Sequence, residues 1–250
     1  MPDFTLRSSQ PELMDDPAVS DAELQEALKQ IAIINRFLGG YPPSLRGIAS
    51  LVPRNAKSVD VLDVGAGAAD VGRAVVRWAR RRGLAMRWTS IDLSASSVAY
   101  AGKLCADYPE MNERTEDLFA VTGEGRFDIV HASLTLHHFP GNDAVRALQA
   151  MSRLARWGMV INDLHRHPLA HGSIRCLTRA LSRNRLIRND APLSVLRAFS
   201  RADWDHLAAA AGLPTPEVRW CWAFRWQSVF RSSPERDSSP ERDPSRDEVT

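Results

Sequence analysis

Cysteine is scarce in this chain. Cys105, Cys176 and Cys221 are the only three among 250 residues. An odd, scattered set with no C-x-x-C spacing excludes a disulfide framework and points to a reducing, cytoplasmic setting. Lysine is scarcer still for a basic residue: Lys29, Lys57 and Lys103 stand among 32 basic side chains. So one-sided a use of arginine reads as genome composition before phosphate recognition. The formal net charge of +2 argues against a general nucleic-acid binder. No apolar window is long enough to span a bilayer. The opening MPDFTLRSSQPELMDDP lacks the basic-then-apolar order of a secretory leader. What remains is average, with 44% apolar and 25% charged residues. The length can bury a real core and suits one α/β domain with a small cap.

Punctuation and periodicity divide the chain. Residues 1–16 are polar and proline-punctuated, and are expected to be a flexible arm. A helix follows, opened by a capping-box pattern at Ser20 and Glu23 and closed by Gly39-Gly40 and Pro42-Pro43. From Val59 strands and helices alternate. The expected strands are Val59–Val64, Met86–Ile91, Arg114–Glu116, Phe127–Ala132 and Met159–Leu164. The expected helices lie near Val71–Arg82, Ala95–Ala106 and Ala144–Ala155. Such alternation specifies a doubly wound, mostly parallel sheet with right-handed crossovers. After Leu164 an arginine-rich stretch to Ser200 is expected to insert one or two helices above the sheet. A helix capped by Ser200 and Asp203 comes next, and the alternating EVRWCWAFRWQSVF offers a closing antiparallel pair. The end repeats Ser-Pro-Glu-Arg-Asp at 233–237 and 239–243 and reads as a disordered tail, 232–250.

The most informative segment is VLDVGAGAAD, Val61 to Asp70. A nearly continuous apolar strand runs into a Gly-x-Gly turn and a helix, where glycines let the backbone approach a ligand. Asp63 precedes Gly65-Ala66-Gly67, and the third glycine of the dinucleotide-dehydrogenase pattern is missing from Gly65-Ala66-Gly67-Ala68-Ala69-Asp70. This combination resembles the S-adenosyl-L-methionine loop of class I methyltransferases, small-molecule (quinone/polyketide-type) branch. The resemblance implies a Rossmann-like seven-stranded fold over 59–231, with an N-terminal helical lid (17–58) and a helical substrate-cap insert (165–200). It places Asp92, next to Leu93, on the ribose hydroxyls, where a carboxylate offers two acceptors to vicinal donors. It gives Asp117 the adenine amino group and Leu118 the ring face. The segment FDIVHASLTLHHFP, with His131 and Ser133, would run beneath the methionine part. The same loop fits a nicotinamide-dependent oxidoreductase less well, since no Tyr-x-x-x-Lys pair is present. A non-catalytic cofactor-binding protein would keep the fold without turnover.

Six of seven histidines fall between His131 and His171, around the carboxyl ends of the central strands, where open α/β sheets bind ligands. His138 aligns with a histidine of small-molecule family members and is the first candidate for a general base. His137 is the second, and Asp163 the third. Asn35, Arg36 and Tyr41 of the lid, with His165 and Arg166 beyond the fifth strand, are the expected substrate contacts. The expected partner is a small aromatic or polyketide-like acceptor methylated at a hydroxyl, with C- or N-methylation of another metabolite as alternatives. The chain is compatible with a monomer or a homodimer. No metal is expected, because His165, His167 and His171 sit in a basic loop and the fourth strand ends without a carboxylate.

Overall fold

A computed structural model of the chain describes residues 2–232. The seven strands are β1 (Ser58–Val64), β2 (Ala85–Asp92), β3 (Met111–Thr115), β4 (Phe127–Ser133), β5 (Ala155–Leu164), β6 (Glu217–Cys221) and β7 (Arg225–Arg231). They form one mixed sheet in the order β3-β2-β1-β4-β5-β7-β6. β1 to β5 are mutually parallel, while β7 runs antiparallel to β5 and to β6. β1 lies between β2 and β4, so Val59, Val61, Leu62 and Val64 are buried from both sides. The strand order reverses between β1 and β4, which opens a crevice at their carboxyl ends.

Helices cover both faces. α3 (Asp70–Arg80) sets Val71, Val75, Val76 and Ala79 against one face, with α2 (Tyr41–Leu51) beside it. α5 (Asn142–Leu154) packs Ala144, Ala147, Leu148 and Met151 on the other, next to α8 (Arg201–Ala210). α4 (Ala95–Leu104) follows β2, and α6 (Pro168–Leu181) and α7 (Arg185–Arg197) follow β5. Leu186 and Ile187 of α7 meet Ala27 of α1 (Asp21–Phe37). No helix among the described residues is long and apolar enough to cross a membrane.

Several expectations change. Pro42 and Pro43 do not simply end α1; they sit in the first turn of α2, where backbone N–H groups have no helical partner to lose. Ser20 caps Glu23 N, but the Glu23 carboxylate turns outward to Arg185 (2.7 and 3.0 Å), so the reciprocal half of the box is not made. The complete capping box is at Ser200 and Asp203. β3 begins earlier than its weak pattern suggests, because as an edge strand it buries only Met111. β5 starts directly at the end of α5, with Gly158 at φ +150 packed against the backbone of Phe230 and Arg231.

The arm expected to be flexible contains a segment tied to α7 and to the site. Ser8 N donates to Leu196 O (2.9 Å), and Leu13 N and Met14 N donate to the Asp190 carboxylate (2.8 and 2.9 Å). Arg7 donates to the carbonyls of Arg197, His137 and Phe139. The Ser-Pro-Glu-Arg-Asp repeats lie outside the described residues.

Candidate active site

The β1–α3 turn is held from behind. Gly65 N and Ala66 N both donate to Ile91 O at the end of β2 (2.8 and 3.2 Å). Gly67 N donates to Asp92 Oδ2 and Ser94 N to Asp92 Oδ1, each at 2.9 Å. One carboxylate therefore fixes the loop and the start of α4 together, with lone pairs to spare for a ligand. Burial pushes the Asp92 carboxyl above its usual range, against the two backbone donors that favour the carboxylate. Gly65 and Gly67 have φ of +65 and +53. Ala69 adopts φ +52 as the N-cap of α3.

The turn opens into a cavity of about 1080 Å³ at the carboxyl ends of the strands. Asp63, Gly65, Ala66 and Gly67 line it from β1, and Asp92 and Leu93 from β2. Asp117, Leu118 and Ser133 line it farther along. Asp117 Oδ1 also caps the short 3-10 turn Leu118–Ala120 through Phe119 N (3.0 Å). Asn35 reaches it from α1, bridging Asp70 (3.0 Å) and Arg225 (2.8 Å). Apolar walls come from Leu24, Leu28 and Ile31 of α1 and from Ile174, Leu177 and Ile187 of the inserted helices.

A charged cluster forms around the 3-10 turn Leu136–His138, whose His137 and His138 line the same cavity. The His137 ring donates through Nδ1 to Asp163 Oδ1 (2.7 Å), and its backbone N donates to Oδ2 (3.1 Å). His137 Nε2 faces Glu12 Oε1 at 3.5 Å, and His138 Nε2 faces Glu12 Oε2 at 3.7 Å. Burial opposes charge on His137, but the Asp163 and Glu12 carboxylates outweigh it and hold the imidazolium up to about 9. Burial likewise raises Glu12, yet the two histidines and the Ser194 hydroxyl bring its carboxyl down to about 2. Asp163 is lowered too, its burial being outweighed by His137. His138 is partly exposed and bonds Asp15 Oδ2 at 3.3 Å. Glu12 is the residue that sequence reasoning missed. It stands in a polar stretch far from His137 along the chain, and no local pattern marks an acid buried by distant partners.

The structure puts six of the eighteen sequence candidates away from the cavity wall. His131 is fully buried beneath it, bridging Asp63 (2.6 Å) and Ser44 (2.8 Å), so it holds Asp63 from behind. Asp163 is fully buried behind His137. Arg36 points outward on the exposed side of α1. Tyr41 donates to Ala32 O (3.2 Å), its phenol pushed up to about 12 by burial and then by nearby Asp70. Arg166 is consumed by the carbonyls of Phe4, Thr5 and Ala198 and by Asp203. His165 packs on Trp226, and burial pushes it down to about 4.

Residues 61–158 match the family model described as methyltransferase domain. The match runs from within β1 to within β5 and includes the Gly65–Gly67 turn and Asp92. The fold is shared with a SAM-dependent methyltransferase from Aquifex aeolicus (14% identity, TM-score 0.59), covering 82% of this chain and 97% of that one. It is shared with human N-acetylserotonin methyltransferase in complex with SAM (16%, 0.58), covering 85% and 56%. The trans-methyltransferase CalH in complex with SAH is also similar (17%, 0.56), covering 75% and 55%. The chain thus spans little more than half the length of the latter two. Among curated proteins, none matches the sequence.

Proposed function

We propose that this chain transfers the methyl group of S-adenosylmethionine to a hydroxyl of a small aromatic or polyketide-like acceptor. The observation that carries the reading is one cavity running from the Gly65–Gly67 turn and Asp92 to the His138 cluster, with apolar helices between. In this reading Asp92 takes the ribose hydroxyls, Asp117 the adenine amino group and Leu118 the ring face. Ser133 lies along the methionine part, and Asp63, steadied by His131, faces its ammonium. Asn35 and the apolar residues of α1, α6 and α7 enclose the acceptor and exclude water.

The acceptor oxygen attacks the methyl carbon in line with the sulfur. The new O–C bond forms as the S–C bond breaks, S-adenosylhomocysteine leaves, and the hydroxyl proton passes to His138. His137 already carries a proton at neutral pH, so it serves as a fixed cation oriented by Asp163 rather than as the base. Positioning supplies much of the rate, and the base roughly two to four orders of magnitude. The test is a panel of phenols and polyketides with methyl-labelled cofactor, followed by identification of the methylated atom. His138→Ala is expected to lower turnover at neutral pH, with partial recovery at high pH and little change in cofactor affinity. Wild-type turnover in His138→Ala contradicts the base role, and a carbon- or nitrogen-methylated product contradicts the hydroxyl assignment.

A further inference from the structure

Glu12, His137 and His138 bring one carboxylate and two imidazoles together on the cavity wall, with ligand atoms all within 4.8 Å of one another. The separations of 3.5 Å (Glu12 Oε1 to His137 Nε2) and 3.7 Å (Glu12 Oε2 to His138 Nε2) are too long for good hydrogen bonds. Tetrahedral ligands with zinc-type bonds stand roughly 3.3 Å apart. The two Glu12 separations exceed that by only a few tenths of an ångström, and the His137 and His138 ligand atoms lie within 4.8 Å of each other. The other side of each ligand is already held. Asp163 accepts from His137 Nδ1 (2.7 Å), Asp15 lies on His138 Nδ1 (3.3 Å), and the Ser194 hydroxyl donates to Glu12 Oε1 (2.9 Å). A carboxylate behind each imidazole orients the ring and makes its free nitrogen a better donor to metal.

We propose that Glu12, His137 and His138 form a site for a divalent first-row transition ion of the zinc type, whose remaining positions face the cavity. Two nitrogens and one carboxylate suit such an ion better than magnesium or calcium, which prefer oxygen throughout. The nearest fixed cation is Arg197, whose Nε is 3.7 Å from Glu12 Oε1 and whose other nitrogens are spent on the carbonyls of Gln10 and His138. Arg7, which donates to the His137 carbonyl, and Arg225 also act on this locus, and the carboxylates of Glu12, Asp15 and Asp163 stand against these guanidinium groups. The ion and the His137 proton compete for the same place, and binding releases that proton. Binding of the ion needs neither cofactor nor acceptor, so this site stands or falls separately from the proposed methyl acceptor.

The experiment uses the full chain freed of metal with a chelator. Zinc chloride is titrated by calorimetry, and cobalt(II) serves as a visible-spectrum probe. The expected results are saturable binding of one ion per chain and the intense bands of a four- or five-coordinate cobalt site. Glu12→Gln and His138→Ala are expected to weaken zinc binding by at least about tenfold. His206→Ala, on the exposed side of α8, is expected to bind as wild type does. Asp15→Asn, at an exposed position, changes only the support of His138 and guards against loss of fold as the explanation; thermal melts of every variant check this. Equal zinc affinity in wild type, Glu12→Gln and Asp15→Asn overturns the proposal. So does a cobalt spectrum that remains that of the hydrated ion.

Discussion

Replacing Gly65 by alanine tests how the β1–α3 turn is supported. At φ +65 an added Cβ meets the Thr135 side chain, with Oγ1 at 2.7 Å and Cγ2 nearer still. Thr135 cannot easily yield, because its hydroxyl is engaged with the carbonyls of Gly65 (3.1 Å) and Ser133 (3.0 Å). The left-handed backbone costs about 1–2 kcal/mol for a residue with a Cβ, and overpacking about 1–3 kcal/mol more. Reduced freedom of the unfolded chain returns roughly 0.4–1 kcal/mol. A net loss near 3 kcal/mol is expected, which lowers the melting temperature by about 6–12 °C for a domain of this size. Gly67→Ala is the internal reference. Its φ is +53, but its Cβ meets only Leu28 Cδ2 at 3.3 Å, so its loss is near 1 kcal/mol, about 2–4 °C. Differential scanning calorimetry of both variants without cofactor reads the difference. Equal melting temperatures would refute the claim that Thr135 backs the first glycine.

A larger side chain at the second glycine has the opposite signature: Gly67→Leu should keep a cooperative melt yet lose S-adenosylmethionine binding in a calorimetric titration, since its side chain enters the cavity. The raised His137 predicts a pH dependence. Its folded-state value goes from 6.5 to about 9, so its stabilisation is whole below pH 6.5 and is lost as pH rises through 9. Urea midpoints in metal-free buffer should fall over that interval, and His137→Gln should flatten the fall; a flat wild-type profile contradicts it. Substituting His131 by phenylalanine strands the Asp63 carboxylate, 2% exposed, without its partner. A loss of roughly 3–5 kcal/mol is expected, and a change under about 1 kcal/mol in denaturant unfolding would show that Asp63 finds another donor.

The parts of the molecule legible in the sequence are those set by local pattern. Val59, Val61, Leu62 and Val64 read as a doubly covered strand because β1 is central, and Gly65 and Gly67 mark a turn that needs positive φ. Asp92 was visible for the same reason, as an acid at a strand end. The insert after Leu164 was legible as helices but not as two packed against α1, since that depends on Leu186 and Ile187 meeting Ala27. His131 and Ser133 stand two apart on β4 and so share a face, yet His131 is buried in the Asp63–Ser44 chain while Ser133, at the strand's carboxyl end, lines the cavity. Pro42-Pro43 carries the same letters whether it ends one helix or begins the next. Glu12 is least legible of all, because its burial is produced by Ser194, Arg197 and His137, none of which is near it in sequence.

The most direct test of the central claim is a crystal structure of the chain with S-adenosylhomocysteine. The account predicts ribose hydroxyls on the Asp92 carboxylate, adenine between Asp117 and Leu118, and the sulfur directed along the cavity toward His138. An adenosine bound away from Asp92, or a sulfur turned away from the Glu12–His137–His138 cluster, would contradict it.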